Sequence, residues 1–133
     1  APGRIHFGGY HAGDALLDAY RALDVAVWLR EGNDGSCRGV LEAMACGVPV
    51  IAGHEGAPAE LVDSQSGRVV DSTSPSAIAA ALRELLGDPA LRKSLGAAAR
   101  TRAASFTTER SCEATLAFYR ELAALPPIER DRP

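Results

Sequence analysis

A chain of 133 residues holds one domain at most, yet it is long enough for a real hydrophobic core. At 47% hydrophobic residues, with no apolar run long enough to span a bilayer, it reads as soluble and globular. A formal charge of -3 gives no electrostatic reason to expect nucleic acid or an anionic membrane as partner.

The 3 cysteines are odd in number and lack metal-ligand spacing, and the helix region shared by Cys37 and Cys46 holds them too far apart for a direct bridge. His6, His11 and His54 also lack mutual ligand spacing, so no metal site is expected. Free thiols suit a reducing cytoplasm. No signal peptide is visible, and the chain opens on Ala1 instead of Met, which leads to the expectation of a fragment of a longer protein.

Arg4 to Phe7 reads as a short strand closed by Gly8 and Gly9. Asp14 can cap a helix through about Leu23, with Leu16, Leu17, Tyr20 and Leu23 on its apolar side. Asp24 leads into VAVWL, a continuous apolar run that fits a strand buried on both faces of a parallel sheet. In the next segment Cys37, Val40, Leu41, Met44 and Ala45 follow the spacing of one apolar helix face, and Gly47 is a natural stop. VPVIAG is the next buried strand, with Pro49 near its start, where a missing N–H is tolerable.

Pro58 to Val62 reads as a short helical segment and Gly67 to Val70 as a further strand. Ser74 with Pro75, and Asp88 with Pro89, are N-cap and first-turn proline pairs that start two more helices, the first ending near Gly87. Ile78, Ala81, Leu82, Leu85 and Leu86 form the core stripe of the first. Thr107 caps the last helix, whose inner side is expected to carry Cys112, Leu116, Tyr119 and Leu122 or Ala123. The charged, proline-bearing tail from Pro126 to Pro133 is expected to be loose, leaving residues 1–125 as the domain.

Strand, helix, strand, helix, strand is the pattern of an α/β fold with an open parallel sheet, here with a helical C-terminus. Ligands of such sheets bind outside the carboxyl ends of the strands. The loops Arg30 to Ser36 and Gly53 to Ala57, the latter with Glu55 and Gly56, both follow strands on that edge. Asp34 is placed in the loop before its helix, where free backbone N–H groups and the positive dipole end favour anions. Glu42 lies on the helix face opposite the apolar one and shares it with Arg38, four residues earlier. Two carboxylates beside a helix start suit a ligand with hydroxyls and phosphates. Cys37 opens the apolar stripe, which favours packing over thiol chemistry, Ser36 can cap the helix, and Glu60 reads as a structural carboxylate. There is no Ser-His-Asp or Cys-His pattern with supporting context.

LEAMACGVPVIAG, Leu41 to Gly53, resembles the signature of the retaining GT-B glycosyltransferases that include glycogen and sucrose synthases. That signature opens with an acid, usually Glu, followed by G-F-G; here the acid is Asp34, and Gly35, Ser36 and Cys37 follow. HFGGYHAGDALLDAYRALDVAVWL resembles the segment before the signature. GHEGAPAELVDSQSGRVV resembles the G-x-x-P-E loop and the strand after it, with proline and spacer transposed. SPSAIAAALRELLGDPALRKSLGAAARTRAASF resembles the terminal helices.

The resemblance implies a Rossmann-like sheet, the C-terminal half of a GT-B fold, with this chain forming the final two-thirds or so of the donor domain. It implies transfer of a sugar from a nucleotide-diphosphate donor, with retention, to a glycan, lipid-linked or small-molecule acceptor held by an N-terminal domain upstream of Ala1. Glu42 would hold the ribose hydroxyls and Asp34 would contact the donor sugar as the catalytic carboxylate of the pair. Gly35, Ser36 and Cys37 would offer backbone N–H groups to the sugar or diphosphate. Arg38 would either supplement phosphate binding or remain the solvated partner of Glu42. No cofactor or obligatory metal is implied, and the expected location is cytoplasmic or peripheral to the inner membrane face. Two other classes stay open: a nucleotide-sugar epimerase-like enzyme, and a non-catalytic nucleotide-sugar-binding module.

Overall fold

The two apolar runs flanking the acidic helix form neighbouring parallel strands, and a third strand completes the sheet. The computed structural model describes residues 4–30 and 34–126, with residues 34–36 described by their backbone alone. In chain order the elements are α1 (Asp14–Arg21), β1 (Ala26–Trp28), α2 (Asp34–Ala45), β2 (Val50–Gly53), α3 (Ala57–Leu61), β3 (Gly67–Val70), α4 (Pro75–Gly87), α5 (Pro89–Ala103) and α6 (Thr108–Ala124). The sheet order is β1-β2-β3, with Ala26 opposite Val50, Trp28 opposite Ala52, and Ile51 opposite Arg68.

Strand alternation divides the core between two faces. Val50 and Ala52 join Ala26 under Val40, Ala43 and Met44 of α2 and Ala99 and Ala103 of α5. Ile51 points the other way, onto Ala81 and Leu85 of α4 and Leu95 of α5. Each large side chain so enclosed contributes roughly 1.5–3 kcal/mol. The buried face of α2 is thus Val40, Ala43 and Met44, with Ala45 exposed, a small rotation from the stripe expected from spacing.

Among the described residues, side chains cap several helix ends. Ser74, Asp88 and Thr107 each accept a hydrogen bond from the N–H three residues on, so all three expected caps are present. At the end of α2, Gly47 takes φ 79°, in the left-handed region that glycine tolerates. The Val48 N–H then reaches the Ala43 carbonyl at 3.1 Å and the Gly47 N–H reaches that of Met44 at 2.9 Å, a Schellman closure.

α5 caps C-terminal carbonyls of three other helices. Arg100 donates to the carbonyls of Ala45 and Cys46, both at 3.1 Å. Arg102 donates to those of Leu61 (2.6 Å) and Glu60 (2.9 Å) and pairs with the Asp63 carboxylate. Arg92 donates to the carbonyls of Leu85 and Leu86, both at 2.8 Å. Such contacts satisfy orphan acceptors and set positive charge against the negative dipole ends.

Several expectations need correction. Arg4 to Phe7 is not a strand: Ile5 and Phe7 are 77% and 91% exposed, and no neighbouring strand pairs with the segment among the described residues. α1 stops at Arg21, and its N-cap is Gly13 with no side-chain cap, so Asp14 serves as the acid of the first turn. α2 begins at Asp34, which places that residue in the first helical turn instead of the loop and places Ser36 inside the helix, past the cap position. Leu86 is exposed on α4. Every residue of α6 is exposed, including Cys112, Leu116, Tyr119 and Leu122, because the helix leaves the body of the fold after Ala103. The expected loose tail, apart from Pro126, lies outside the described residues. No helix among the described residues is long and apolar enough to cross a membrane.

Gly96 is where α5 meets the turn after α2, and a Cβ there would overlap the Gly47 carbonyl oxygen. Gly96→Ala should therefore cost about 1–3 kcal/mol by overpacking. Denaturant midpoints measure it; an unchanged midpoint would mean that α5 is free to move.

Candidate active site

Because all three strands run parallel, the residues after each of them collect on one edge. Leu29 and Arg30 after β1, Glu55 after β2 and Ser72 after β3 line a hollow of about 370 Å³ there. His54 stands 3.6 Å from the Glu55 carboxylate and 4.0 Å from that of Asp71. Asp71 is held below the usual carboxylate range, first by the hydroxyl and then by the backbone N–H of Thr73, with a smaller contribution from His54. Among the described residues no group of three or more His, Cys, Asp or Glu is placed to hold a metal ion.

α2 starts on this same edge, so the N–H groups of its first turn, at Asp34, Gly35, Ser36 and Cys37, lie on the hollow's side of the sheet. The side chains of Asp34 and Ser36 lie outside the described residues. Cys37 is half-buried and Arg38 exposed. Glu42 comes eight residues after Asp34, about 12 Å along the axis. One ligand meeting both acids would have to lie along the helix.

Glu42 is half-buried, and its partner is Tyr20, whose hydroxyl donates to Oε2 at 3.1 Å. No ion pair joins Glu42 to Arg38 among the described residues. Beside this bond, Leu17, Arg21, Ala45, Cys46 and Arg100 close a cavity of about 420 Å³ onto which Glu42 opens. Gly39 makes the approach possible: a Cβ there would stand 3.1 Å from the Trp28 ring and 3.4 Å from the Tyr20 oxygen.

Tyr20 is the member of this group that sequence reasoning missed. Spacing puts it on the apolar side of α1, which holds for its ring and not for its hydroxyl. A tyrosine in an apolar stripe needs a partner for its hydroxyl, and that was the available signal.

Burial, then the Glu42 hydrogen bond and the Glu42 charge, push the Tyr20 phenol up from 10.0 to about 12. The folded state thus favours the protonated phenol. Its contribution is complete below pH ~10 and is lost as the pH rises through about 12. The stability gap between the native chain and Tyr20→Phe should accordingly be larger at pH 9 than at pH 11.5. Denaturant midpoints at both pH values test this, and an equal gap would contradict it.

Comparison with known proteins identifies the family and the fold. The family profile described as glycosyl transferases group 1 matches residues 1–102. A D-inositol 3-phosphate glycosyltransferase of Kineococcus radiotolerans is 41% identical over 124 residues, 86% of this chain and 28% of that protein. A GDP-mannose-dependent alpha-(1-6)-phosphatidylinositol monomannoside mannosyltransferase of Mycolicibacterium smegmatis is 49% identical over 61 residues, 45% of this chain and 16% of that protein. Among solved structures, a sucrose-phosphate synthase of Thermosynechococcus elongatus superposes with a TM-score of 0.65 at 32% identity, over 80% of this chain and 27% of that one. Anabaena HepE, solved in complex with UDP and glucose, superposes with a TM-score of 0.70 at 22% identity, over 93% of this chain and 33% of that one, a likeness of fold. The chain thus spans about a third or less of each of these proteins. With its parallel Rossmann-like sheet, flanking helices and a family match over residues 1–102, the chain belongs to the group 1 glycosyl transferases.

Proposed function

We propose that the protein carrying this chain is a retaining glycosyltransferase of GT-B architecture that moves a sugar from a nucleotide-diphosphate donor to an acceptor hydroxyl. In this reading the chain supplies the donor-binding part, and by itself it does not turn over. The observation that carries the proposal is the Glu42 carboxylate: half-buried on α2, held at one oxygen by Tyr20, and open to a cavity. An ionised carboxylate only accepts hydrogen bonds, and it can take two neighbouring hydroxyls at once. The ribose of a nucleotide presents that pair. The donor class draws further support from the GDP-mannose dependence in the name of the Mycolicibacterium relative.

The other end of the ligand follows from charge. As the glycosidic bond breaks, positive charge grows on the sugar and negative charge on the departing diphosphate. Donors already aimed at the diphosphate lower the barrier without reorganising. The first-turn N–H groups of α2, from Gly35 to Cys37, are suited to that task, and Arg38 adds a guanidinium to the phosphate side. Asp34 would contact the donor sugar as the catalytic carboxylate of the pair. The acceptor, a glycan, a lipid-linked group or a small molecule, enters from the other half of the cleft.

Glu42→Gln keeps shape and one acceptor oxygen but loses the charge that makes each hydrogen bond roughly twice as strong. In the whole protein it should weaken donor binding and kcat/KM together, by roughly tenfold or more. Asp34→Asn should lower kcat more than donor affinity, because its contact strengthens as the bond breaks. Steady-state kinetics with unchanged melting temperatures decide the matter. Native rates for Glu42→Gln would remove the ribose role.

A further inference from the structure

We infer that Tyr20 is a positioning residue that sets the plane of the Glu42 carboxylate and so enforces selection of a ribose over a 2′-deoxyribose. The inference rests on the ribose role proposed above for Glu42. It begins from what surrounds the carboxylate. The two arginines that line the same cavity are engaged elsewhere: Arg21 pairs with Asp18 at 3.5 Å, and Arg100 donates to the Ala45 and Cys46 carbonyls. Among the described residues, the donor to Glu42 is the neutral phenol of Tyr20.

That choice of donor matters chemically. A guanidinium would grip both oxygens in a two-pronged pair and cancel the charge. A phenol takes one lone pair on Oε2 and leaves the charge intact, with Oε1 and the rest of Oε2 free to accept. A carboxylate held in one plane meets two vicinal hydroxyls with both bonds aligned. One that swings about its last torsion, which is broad for a glutamate, has to be ordered by the ligand itself.

The bond is also built from three elements, which sets it apart from a chance surface contact. Tyr20 comes from α1 and Glu42 from α2, and Trp28 of β1 stands behind them. Gly39, one turn before Glu42, is what lets both rings approach, since a Cβ would meet the Trp28 ring at 3.1 Å. A merely structural Tyr20 would tie α1 to α2 and do nothing that depends on the ligand's 2′ position.

The test uses the whole protein and measures by calorimetry the affinities of UDP, GDP and ADP and of their 2′-deoxy counterparts. For whichever base binds, Tyr20→Phe should weaken the ribonucleotide by roughly tenfold, as for one hydrogen bond involving a charged group. It should leave the deoxynucleotide almost unchanged, so that the preference for ribose collapses. In a Glu42→Gln background Tyr20→Phe should cost nothing further, because the residue acts through the carboxylate. Equal losses for both sugars, or additive losses in the double variant, overturn the inference. If Glu42→Gln weakens binding and Tyr20→Phe does not, this inference alone fails. If Glu42→Gln binds like the native protein, or no nucleotide binds, the proposed function fails first. A readout without a variant protects against misfolding: in native protein labelled with ¹³Cζ tyrosine, the Tyr20 resonance should shift on saturation with the ribonucleotide but hardly with the deoxynucleotide. A resonance that ignores both sugars also overturns the inference.

Discussion

The burial of α2 between the sheet and α5 is the constraint on which the site depends. Val40 and Met44 are fully enclosed over β1 and β2, and the turn that ends the helix is pressed against Gly96 of α5. With the helix clamped on that side, its rotation about its own axis is settled. Glu42 must then face α1, and the first turn must open on the carboxyl edge of the strands. A helix held less firmly would place Glu42 loosely, and on the proposed function that matters, since a misplacement of about 1 Å can cost a hundredfold in rate.

α5 makes that clamp a property of the whole domain. Arg92, Arg100 and Arg102 lie along one helix and close the C-terminal carbonyls of α4, α2 and α3. Asp63 adds an anion to the last of these, where burial pushes its carboxyl up but hydrogen bonds from Ser66 and the Arg102 charge hold it below the usual range. The helix that carries Glu42 and the helix after β2 are therefore anchored to one rod. Local misfits at either would be felt at the other, because packed interiors transmit small shifts.

Much of this was legible in the residues. VAVWL and VPVIAG read as strands because they are uninterrupted apolar runs between turn signals, and they pair in parallel as expected. Only VPVIAG is covered on both faces; in VAVWL, at the end of the described sheet, Val27 is 41% exposed, which corrects the expectation of burial on both sides. Ser74, Asp88, Thr107 and Gly47 read as helix boundaries because their chemistry acts locally. Spacing could not choose between Ala43 and Ala45, since overlapping i, i+3, i+4 sets share Val40 and Met44; the neighbour α5 decides. Nor could it show that Tyr20, twenty-two residues before Glu42, is its partner, because that bond depends on how α1 lies across α2. The apolar pattern of α6 is real, yet pattern alone does not say whether a surface is present to cover it. At the site, family resemblance singled out Asp34 and Glu42, and geometry supplied the carboxylate's partner.

On the function proposed above, a nucleotide lies along α2 with its ribose at Glu42. A crystal structure of the whole protein with bound UDP or GDP tests it most directly. The account predicts both ribose hydroxyls within hydrogen-bonding distance of the Glu42 carboxylate, the Tyr20 bond retained, and the diphosphate at the first turn of α2. A nucleotide seated elsewhere, with Glu42 touching only Tyr20 and solvent, would contradict it.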